Sequence, residues 1–219
     1  MNSQETYLSP ESGTSQDRAV VPYVPTVKVS PRRAGPRFRS AERFKNYGQI
    51  HAALLEYRKA VEFDPDNAFY RYKLGDCYAE CGILEEAVKE LEAARDLIPQ
   101  DGFYHFCLGG CYSRLGRFTD AIAEMQQATL FSPYDSYYNV RLGMLYLQTN
   151  SIREAASAFE RAVQLDPENG SYHCLLGDVY VQLGFEREAL HHYRHAGTLN
   201  SYDNAYVERI RRGYEGGRD

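Results

Sequence analysis

Large and small apolar residues recur along the chain with a period of 34 residues. A leucine-glycine pair, with a tyrosine three residues after the glycine, begins at Leu74, Leu108, Leu142 and Leu176. Later in each unit two alanines stand seven residues apart, and a proline closes four of the units. A constant period of this length predicts stacked copies of one structural unit, because a single copy could not bury its own apolar face.

Each unit is predicted to contain two helices joined by a tight turn. Tyr70, Leu74 and Tyr78 are spaced by four residues and lie on one face of a first helix. Ala87 and Ala94 lie on one face of a second helix. A glycine or an asparagine separates the two helices in every unit, and these residues tolerate the left-handed backbone that ends a helix.

These residues together resemble the tetratricopeptide repeat family, whose Leu-Gly-x-x-Tyr, Ala, Ala and Pro pattern is matched over residues 37–214. The resemblance implies an all-α, right-handed superhelical solenoid of about five helical hairpins with a C-terminal capping helix. The family often has an aromatic residue three positions before the leucine. Here Arg71, His105, Asn139 and His173 occupy that slot, and we expect the tyrosine one residue earlier to fill the core volume instead.

The chain divides into a tail, five repeats and a terminal helix. Residues 1–36 are rich in Ser, Pro and charge and are expected to be disordered or docked. Residues 204–219 are expected to form the capping helix and a short tail. The repeat units are residues 37–67, 68–101, 102–135, 136–169 and 170–203.

The resemblance also implies that the first helix of each repeat lines a concave groove. The residues opposite the Tyr-Leu-Tyr core are mostly aromatic or apolar in the central repeats, and contiguous exposed apolar surface marks binding sites. Acidic side chains towards the flanks favour a partner with basic and apolar residues. The predicted partner-binding residues are Phe69, Tyr72, Asp76, Phe103, Phe106, Tyr137, Val140, Met144 and Leu147.

We therefore expect a protein–protein interaction scaffold or adaptor that holds a peptide or segment in the concave groove. A first alternative is a structural subunit that self-assembles, or sits in a larger complex, through its groove and its N-terminal tail. Residues 20–33 are apolar and then basic, so we also hypothesise that this segment docks in the groove of its own or a neighbouring copy. A metal- or thiol-dependent enzyme is the remaining alternative.

Composition narrows the class of partner. The net charge is −5, with a short basic N-terminal region on an acidic body. An acidic body argues against nucleic acid, since phosphate contacts need clustered Lys and Arg. The sequence contains no apolar run long enough for direct membrane insertion. Without a recognisable secretory signal, the expected location is the cytoplasm.

The cysteines and histidines are interpreted as structural. Cys77 and Cys111 fall on the core face of the first helices, where a thiol packs as a small apolar group. His191, His192 and His195 are interpreted as a solvated helix face. The sequence contains no phosphate-binding glycine loop and no nucleophile motif. We therefore predict no enzyme activity, no metal and no cofactor.

Overall fold

The structure is a computed structural model, and it describes the backbone of residues 30–199 and the side chains to residue 197. Within this range the chain forms helices and no strands. The helices are α1 Pro31–Asn46, α2 Ile50–Phe63, α3 Ala68–Glu80, α4 Leu84–Leu97, α5 Gly102–Arg114, α6 Phe118–Phe131, α7 Ser136–Gln148, α8 Ile152–Leu165, α9 Gly170–Gln182 and α10 Glu186–Leu199.

Consecutive helices pair into hairpins, and consecutive hairpins stack. Each odd-numbered helix packs most closely on the even-numbered helix that follows it, and next on the even-numbered helix before it. Helices α3, α5, α7 and α9 begin at residues 68, 102, 136 and 170, which preserves the 34-residue period of the sequence. The predicted all-α helical repeat fold is confirmed.

Local chemistry explains where the helices begin and end. The Asp135 side chain accepts hydrogen bonds from the backbone N–H groups of Tyr137 and Tyr138 at 3.0 and 3.2 Å and so caps α7. Asn67 and Asp101 cap α3 and α5 in the same way. The predicted left-handed position inside each hairpin is confirmed, and its non-glycine example is Asn150, with φ 58°.

The two helices of a hairpin meet where a glycine faces a large buried side chain. A Cβ atom on Gly143 would lie 2.7 Å from the Phe159 ring, and one on Gly177 would lie 2.5 Å from the Tyr193 ring. Both rings are at most 1% exposed, so each fills the centre of its hairpin. In both hairpins this ring belongs to the residue four positions after the first repeated alanine of the second helix.

The first helix begins earlier than the sequence predicted. Helix α1 starts at Pro31, so its first six residues belong to the segment assigned to a tail of residues 1–36. A proline is compatible with the first helical position because that N–H group has no partner within the helix. Ala34 and Ala41 are fully buried and anchor α1.

The rest of the predicted tail and the predicted capping helix lie outside the described residues. The sequence analysis expected residues 20–33 to form a docking segment, but the last three of these residues belong to helix α1. The part before residue 30 and all of residues 204–219 fall beyond the described range.

The glycine contact predicts that alanine substitutions at two glycines of the odd-numbered helices change the free energy of unfolding by different amounts. Gly143→Ala should lower the free energy of unfolding by about 1–3 kcal/mol, because the new methyl group collides with a fully buried ring. Gly110→Ala is the matched control, since nothing lies within 4 Å of its Cβ position. It should be neutral or stabilising by up to about 1 kcal/mol through helix propensity. Urea unfolding followed by circular dichroism measures both, and equal destabilisation would contradict the packing argument.

Candidate functional site

Two repeated positions on the odd-numbered helices carry a row of aromatic rings. One position holds Phe69 in α3, Phe103 in α5 and Tyr137 in α7, which are 46%, 37% and 48% exposed. The other position, three residues later, holds half-buried rings in α3 and α5. We define the aromatic stripe as Phe38, Phe69, Tyr72, Phe103, Phe106 and Tyr137.

The rings of the stripe contact one another across neighbouring hairpins. Ring centroids are 5.5 Å apart for Phe38 and Phe69. They are 4.8 Å apart for Tyr72 and Phe103, in an edge-to-face arrangement. They are 5.7 Å apart for Phe106 and Tyr137. These spacings are typical of favourable aromatic pairs, so the stripe continues from the first hairpin to the fourth.

The stripe differs from the predicted site at two points. Val140 is only 4% exposed and belongs to the core with Leu176 and Phe159, so it offers no contact surface to a partner. Phe38 was missing from the predicted site, although it stands 34 residues before Tyr72 in the same slot.

Apolar surface continues beyond the last ring. Met144 in α7 is 38% exposed and Leu147 is half-buried. In α9 the two stripe positions hold Ser171 and Cys174, so the aromatic row ends at the fourth hairpin.

The acidic groups beside the stripe are already paired with lysines. Lys45 donates to Asp76 at 2.7 Å and lies 2.9 Å from Glu80. Burial lowers the pKa of Lys45, but the hydrogen bonds to these two carboxylates outweigh burial and raise the pKa above its ordinary value. Lys73 lies 3.4 Å from Glu42. Asp76 is therefore half of an ion pair, which weakens the expectation that this flank selects basic partners.

Lysine also contacts the rings directly. The Lys73 ammonium lies 5.6 Å from the centroid of Phe69 and 6.0 Å from that of Tyr72, within the range of cation–π attraction. Burial raises the pKa of Tyr72 to about 12, with a further contribution from Asp76. Tyr72 is therefore a neutral hydroxyl at physiological pH. The stripe is apolar, and Asp76, Glu80 and Glu42 beside it each contact a lysine.

The position three residues before the repeated leucine has a structural role that the sequence did not reveal. Arg71 donates to the backbone oxygen of Pro65 at 2.6 Å and to Glu90 at 2.9 Å. His105 makes the same pair of contacts one repeat later, at 3.0 Å to Pro99 and 2.6 Å to Glu124. Each side chain ties an odd-numbered helix to the preceding loop and to the following helix. The signal was the recurring spacing of 19 residues between the slot and the carboxylate.

In the last hairpin a histidine replaces that carboxylate. His173 is 4% exposed, lies 3.1 Å from the Pro167 oxygen and pairs with His192 at 2.9 Å between Nδ1 atoms. Its ring also stacks on His195 at 4.3 Å. The interpretation of His192 and His195 as a solvated face was therefore wrong: both rings pack against α9.

Protonation of this cluster is unfavourable in the folded state. Burial, followed by the neighbouring histidines, lowers the pKa of His192 to about 4. Burial also lowers the pKa of His173 despite its hydrogen bond to Pro167. Both rings are neutral at pH 7, which allows one imidazole to donate to the other. Within residues 30–199, no group of three or more His, Cys, Asp or Glu side chains could hold a metal ion.

The cysteines lie among packed residues. Cys77 is fully buried and Cys111 is 6% exposed. Burial raises the pKa of Cys77 to about 12, and it does the same for Cys107. A thiol held in its protonated form is a poor nucleophile and a poor metal ligand. None of the described helices is both long and apolar enough to cross a membrane.

The repeat pattern matches a known family model. The model for the TPR repeat matches residues 43–82 and 143–184. The first range covers the end of α1 with α2 and α3, and the second covers the end of α7 with α8 and α9. No curated protein matches the chain significantly.

Solved structures share the fold. A structure of MamA superposes with a TM-score of 0.71 at 20% identity, covering 79% of this chain and 94% of that one. MamA from Desulfovibrio magneticus RS-1, from residue 41 to its end, gives 0.69 at 21% identity, covering 76% and 94%. YrrB, a TPR protein with an unusual peptide-binding site, gives 0.67 at 22% identity, covering 82% and 92%. The family model therefore identifies TPR repeats at residues 43–82 and 143–184, and the solved structures share the chain's fold of stacked helical hairpins.

The histidine pair predicts acid sensitivity in the last hairpin. Folding lowers the pKa of His192 from 6.5 to about 4, so below pH 6.5 the unfolded chain binds a proton at His192 more readily than the folded chain does. The folded state therefore has its full stability above pH 6.5 and loses stability as the pH falls towards 4. We expect hydrogen exchange to report a loss of about 1–2 kcal/mol in the protection of α9 and α10 between pH 7 and pH 4.5. His192→Glu supplies the carboxylate that Glu90 and Glu124 provide in the second and third hairpins, and it should reduce this loss. An equal loss in the variant would contradict the assignment, and the α7–α8 hairpin, which has Asn139 in the slot of His173, is the internal control.

The buried thiols predict slow alkylation. At pH 8, Cys77 and Cys107 in the folded chain should react with iodoacetamide about 100-fold more slowly than in urea, because burial disfavours the thiolate. Peptide mass spectrometry measures each site, with the half-buried Cys81 as a comparison for the fully buried Cys77. Fast modification of Cys77 in the folded chain would return a thiol-dependent activity to consideration.

Proposed function

We propose that this protein is an interaction scaffold that binds a segment of another protein along the aromatic stripe. The observation that carries the proposal is the row of exposed rings on α3, α5 and α7. Phe69, Phe103 and Tyr137 each leave more than a third of their surface in solvent, although water is a poor environment for an aromatic ring.

The packing of the stripe favours a preorganised site. Phe38 stacks on Tyr70 at 4.8 Å, and Phe106 stacks on Tyr138 at 4.6 Å. The second ring of each pair packs between hairpins, so the stripe rests on the core and not on a mobile loop. A surface whose side chains are held in place binds with a smaller entropic cost.

The chemistry of the stripe favours a partner with apolar anchors at regular spacing. The carboxylates beside it are matched by Lys45 and Lys73, so we no longer expect net positive charge to be the main requirement. An extended or helical segment with leucine or aromatic residues would bury the exposed rings. The peptide-binding site of YrrB, which shares this fold at 22% identity, supports a peptide as the class of ligand.

The two alternatives receive less support. A thiol-dependent enzyme would need an activated cysteine, whereas burial keeps the thiols of Cys77 and Cys107 protonated. Self-assembly through the groove and the N-terminal tail stays a prediction. Light scattering at several concentrations would separate it from binding by a monomeric scaffold.

A peptide selected on the protein itself provides the test. A random 12-residue peptide library is selected on the full chain, and the Kd of the enriched peptide is measured by fluorescence anisotropy. The variant Phe69→Ala/Phe103→Ala/Tyr137→Ala should weaken binding at least tenfold, about 1.4 kcal/mol or more, because it removes the exposed anchors. These rings are more exposed than Tyr72 and Phe106, so the fold should tolerate their loss.

The matched control removes equally exposed apolar side chains from elsewhere. Leu55→Ala/Leu130→Ala/Phe185→Ala changes residues that are 56%, 65% and 50% exposed. It should leave the Kd within twofold of the wild type. If the control loses as much affinity as the stripe variant, or the stripe variant retains binding, the site lies on another face of the solenoid.

A further inference from the structure

The outer face of α1 occupies a special place in the repeat. In α5 the corresponding face carries Tyr104, Leu108 and Cys111, all buried against the preceding helix α4. Every later odd-numbered helix has a similar apolar face covered by the hairpin before it. Helix α1 is the first of the described helices, so this face is the end surface of the described solenoid.

The residues on this face of α1 are not those of the interior repeats. The positions of Tyr104, Leu108 and Cys111 correspond, two repeats earlier, to Pro36, Ser40 and Arg43. Another hairpin of the same kind could not pack here, because Arg43 would lose its hydration without gaining a partner. The face is therefore built for a different kind of contact.

Arginine dominates this face. Helix α1 carries six basic side chains and one glutamate. Arg32, Arg33 and Arg43 are exposed, and none of them forms an ion pair within the described part of the chain. By contrast, Arg37 lies 3.1 Å from Glu56. These guanidinium groups are therefore available to hydrogen-bond acceptors of another molecule.

Two shallow depressions lie beside these arginines. The first has a volume of about 500 Å³ and is lined by Arg32, Arg33, Pro36, Arg37, Ser40 and Phe63. The second has a volume of about 140 Å³ and is lined by Ser40, Arg43, Phe44, Tyr47 and Gln49. Ser40 lines both, so they form one continuous path along the helix. The first combines three guanidinium groups with one aromatic ring, and the second combines one guanidinium group with two aromatic rings.

Solubility alone does not account for this composition. An end surface of a solenoid needs polar residues, but mixed charges would serve that purpose without mutual repulsion. Arg32 and Arg33 also stand in the first turn of α1, where no acidic residue is present and the helix dipole disfavours positive charge. Arg32 and Arg33 therefore destabilise α1 when no anion is nearby, and an acidic partner would remove this destabilisation.

We propose that the outer face of α1 is a second interaction surface, which binds an acidic segment of another protein along Arg32, Arg33 and Arg43. Arginine pairs with carboxylates in bidentate geometry, and the depressions provide room for an apolar side chain beside Phe63 or Tyr47. Arg32 and Arg43 are eleven residues apart, about 16 Å along the helix. A short segment with acidic residues at both ends would engage both groups.

An acidic protein segment fits better than a phosphate polymer or a membrane. Outside α1 the chain is strongly acidic, since the whole chain has a net charge of −5. A long polyanion would extend past the stripe and be repelled by that surface. A lipid surface is flat, whereas the guanidinium groups border depressions. A segment no longer than α1 avoids both difficulties.

The test uses the full chain and a fluorescein-labelled 16-residue helical peptide with glutamates on one face and leucines on the other. We expect binding that weakens as salt is raised from 50 to 300 mM. The variant Arg32→Glu/Arg33→Glu/Arg43→Glu should weaken it at least tenfold. The control Arg153→Glu/Arg161→Glu/Arg187→Glu makes the same change in net charge at exposed positions of α8 and α10 and should stay within twofold.

Each outcome decides the proposal. The proposal is overturned if the full chain does not bind the peptide, if both variants lose affinity equally, or if a glutamine version of the peptide binds as well. If a 16-nucleotide single strand or phosphatidylserine vesicles bind more strongly than the peptide, and this binding requires Arg32, Arg33 and Arg43, the face is a phosphate-binding surface instead. Binding only after removal of residues 1–29 would make the chain's own N-terminal segment the occupant. Arg→Gln variants, with circular dichroism, keep the test valid if charge reversal unfolds α1.

Discussion

The contact between a glycine in one helix and a large side chain in the next is the constraint on which the structure depends. In the fourth hairpin Gly143 leaves space for Phe159, and in the fifth Gly177 leaves space for Tyr193. The large side chain changes from repeat to repeat, whereas the glycine is kept in α3, α5, α7 and α9. Because four of the five described hairpins have a glycine at this crossing, equivalent positions 34 residues apart occupy equivalent places in the solenoid.

The aromatic stripe is a consequence of this equivalence. Two slots on the odd-numbered helices face away from the hairpin core, and aromatic residues in both slots of α3 and α5 become a row when the hairpins stack. The ring of Tyr72 then reaches Phe103, and the ring of Phe106 reaches Tyr137. The same stacking leaves the first helix with a face that no described hairpin covers, and there the sequence turns from apolar residues to arginine.

Much of the fold could be predicted from the sequence, because the repeat multiplies each weak signal. Asn150 was recognised as a helix-ending residue only because four glycines occupy its slot, and its φ of 58° confirms this. The start of α1 at Pro31 could not be predicted in this way. The first repeat lacks the Leu-Gly pair, and prolines look like helix breakers until their place in the first turn is known.

The candidate site was less predictable, because exposure and pairing depend on the neighbouring hairpin. Val140 shares a slot with Tyr72 and Phe106, yet it is buried among residues of α8 and α9. Asp76 looked like a free acid, and only the structure brings Lys45 to it from 31 residues earlier. The contact of His173 with His192 likewise needs the crossing of α9 and α10.

The account makes the exposed rings of the odd-numbered helices the surface that a partner covers. Nuclear magnetic resonance spectra of the chain with labelled aromatic side chains, recorded as a bound peptide is titrated, test this most directly. The account predicts that the largest shifts fall on Phe69, Phe103 and Tyr137, while the buried ring of Phe159 and the exposed ring of Phe185 stay unchanged. Shifts confined to Phe185 and to aromatic residues of the even-numbered helices would contradict it.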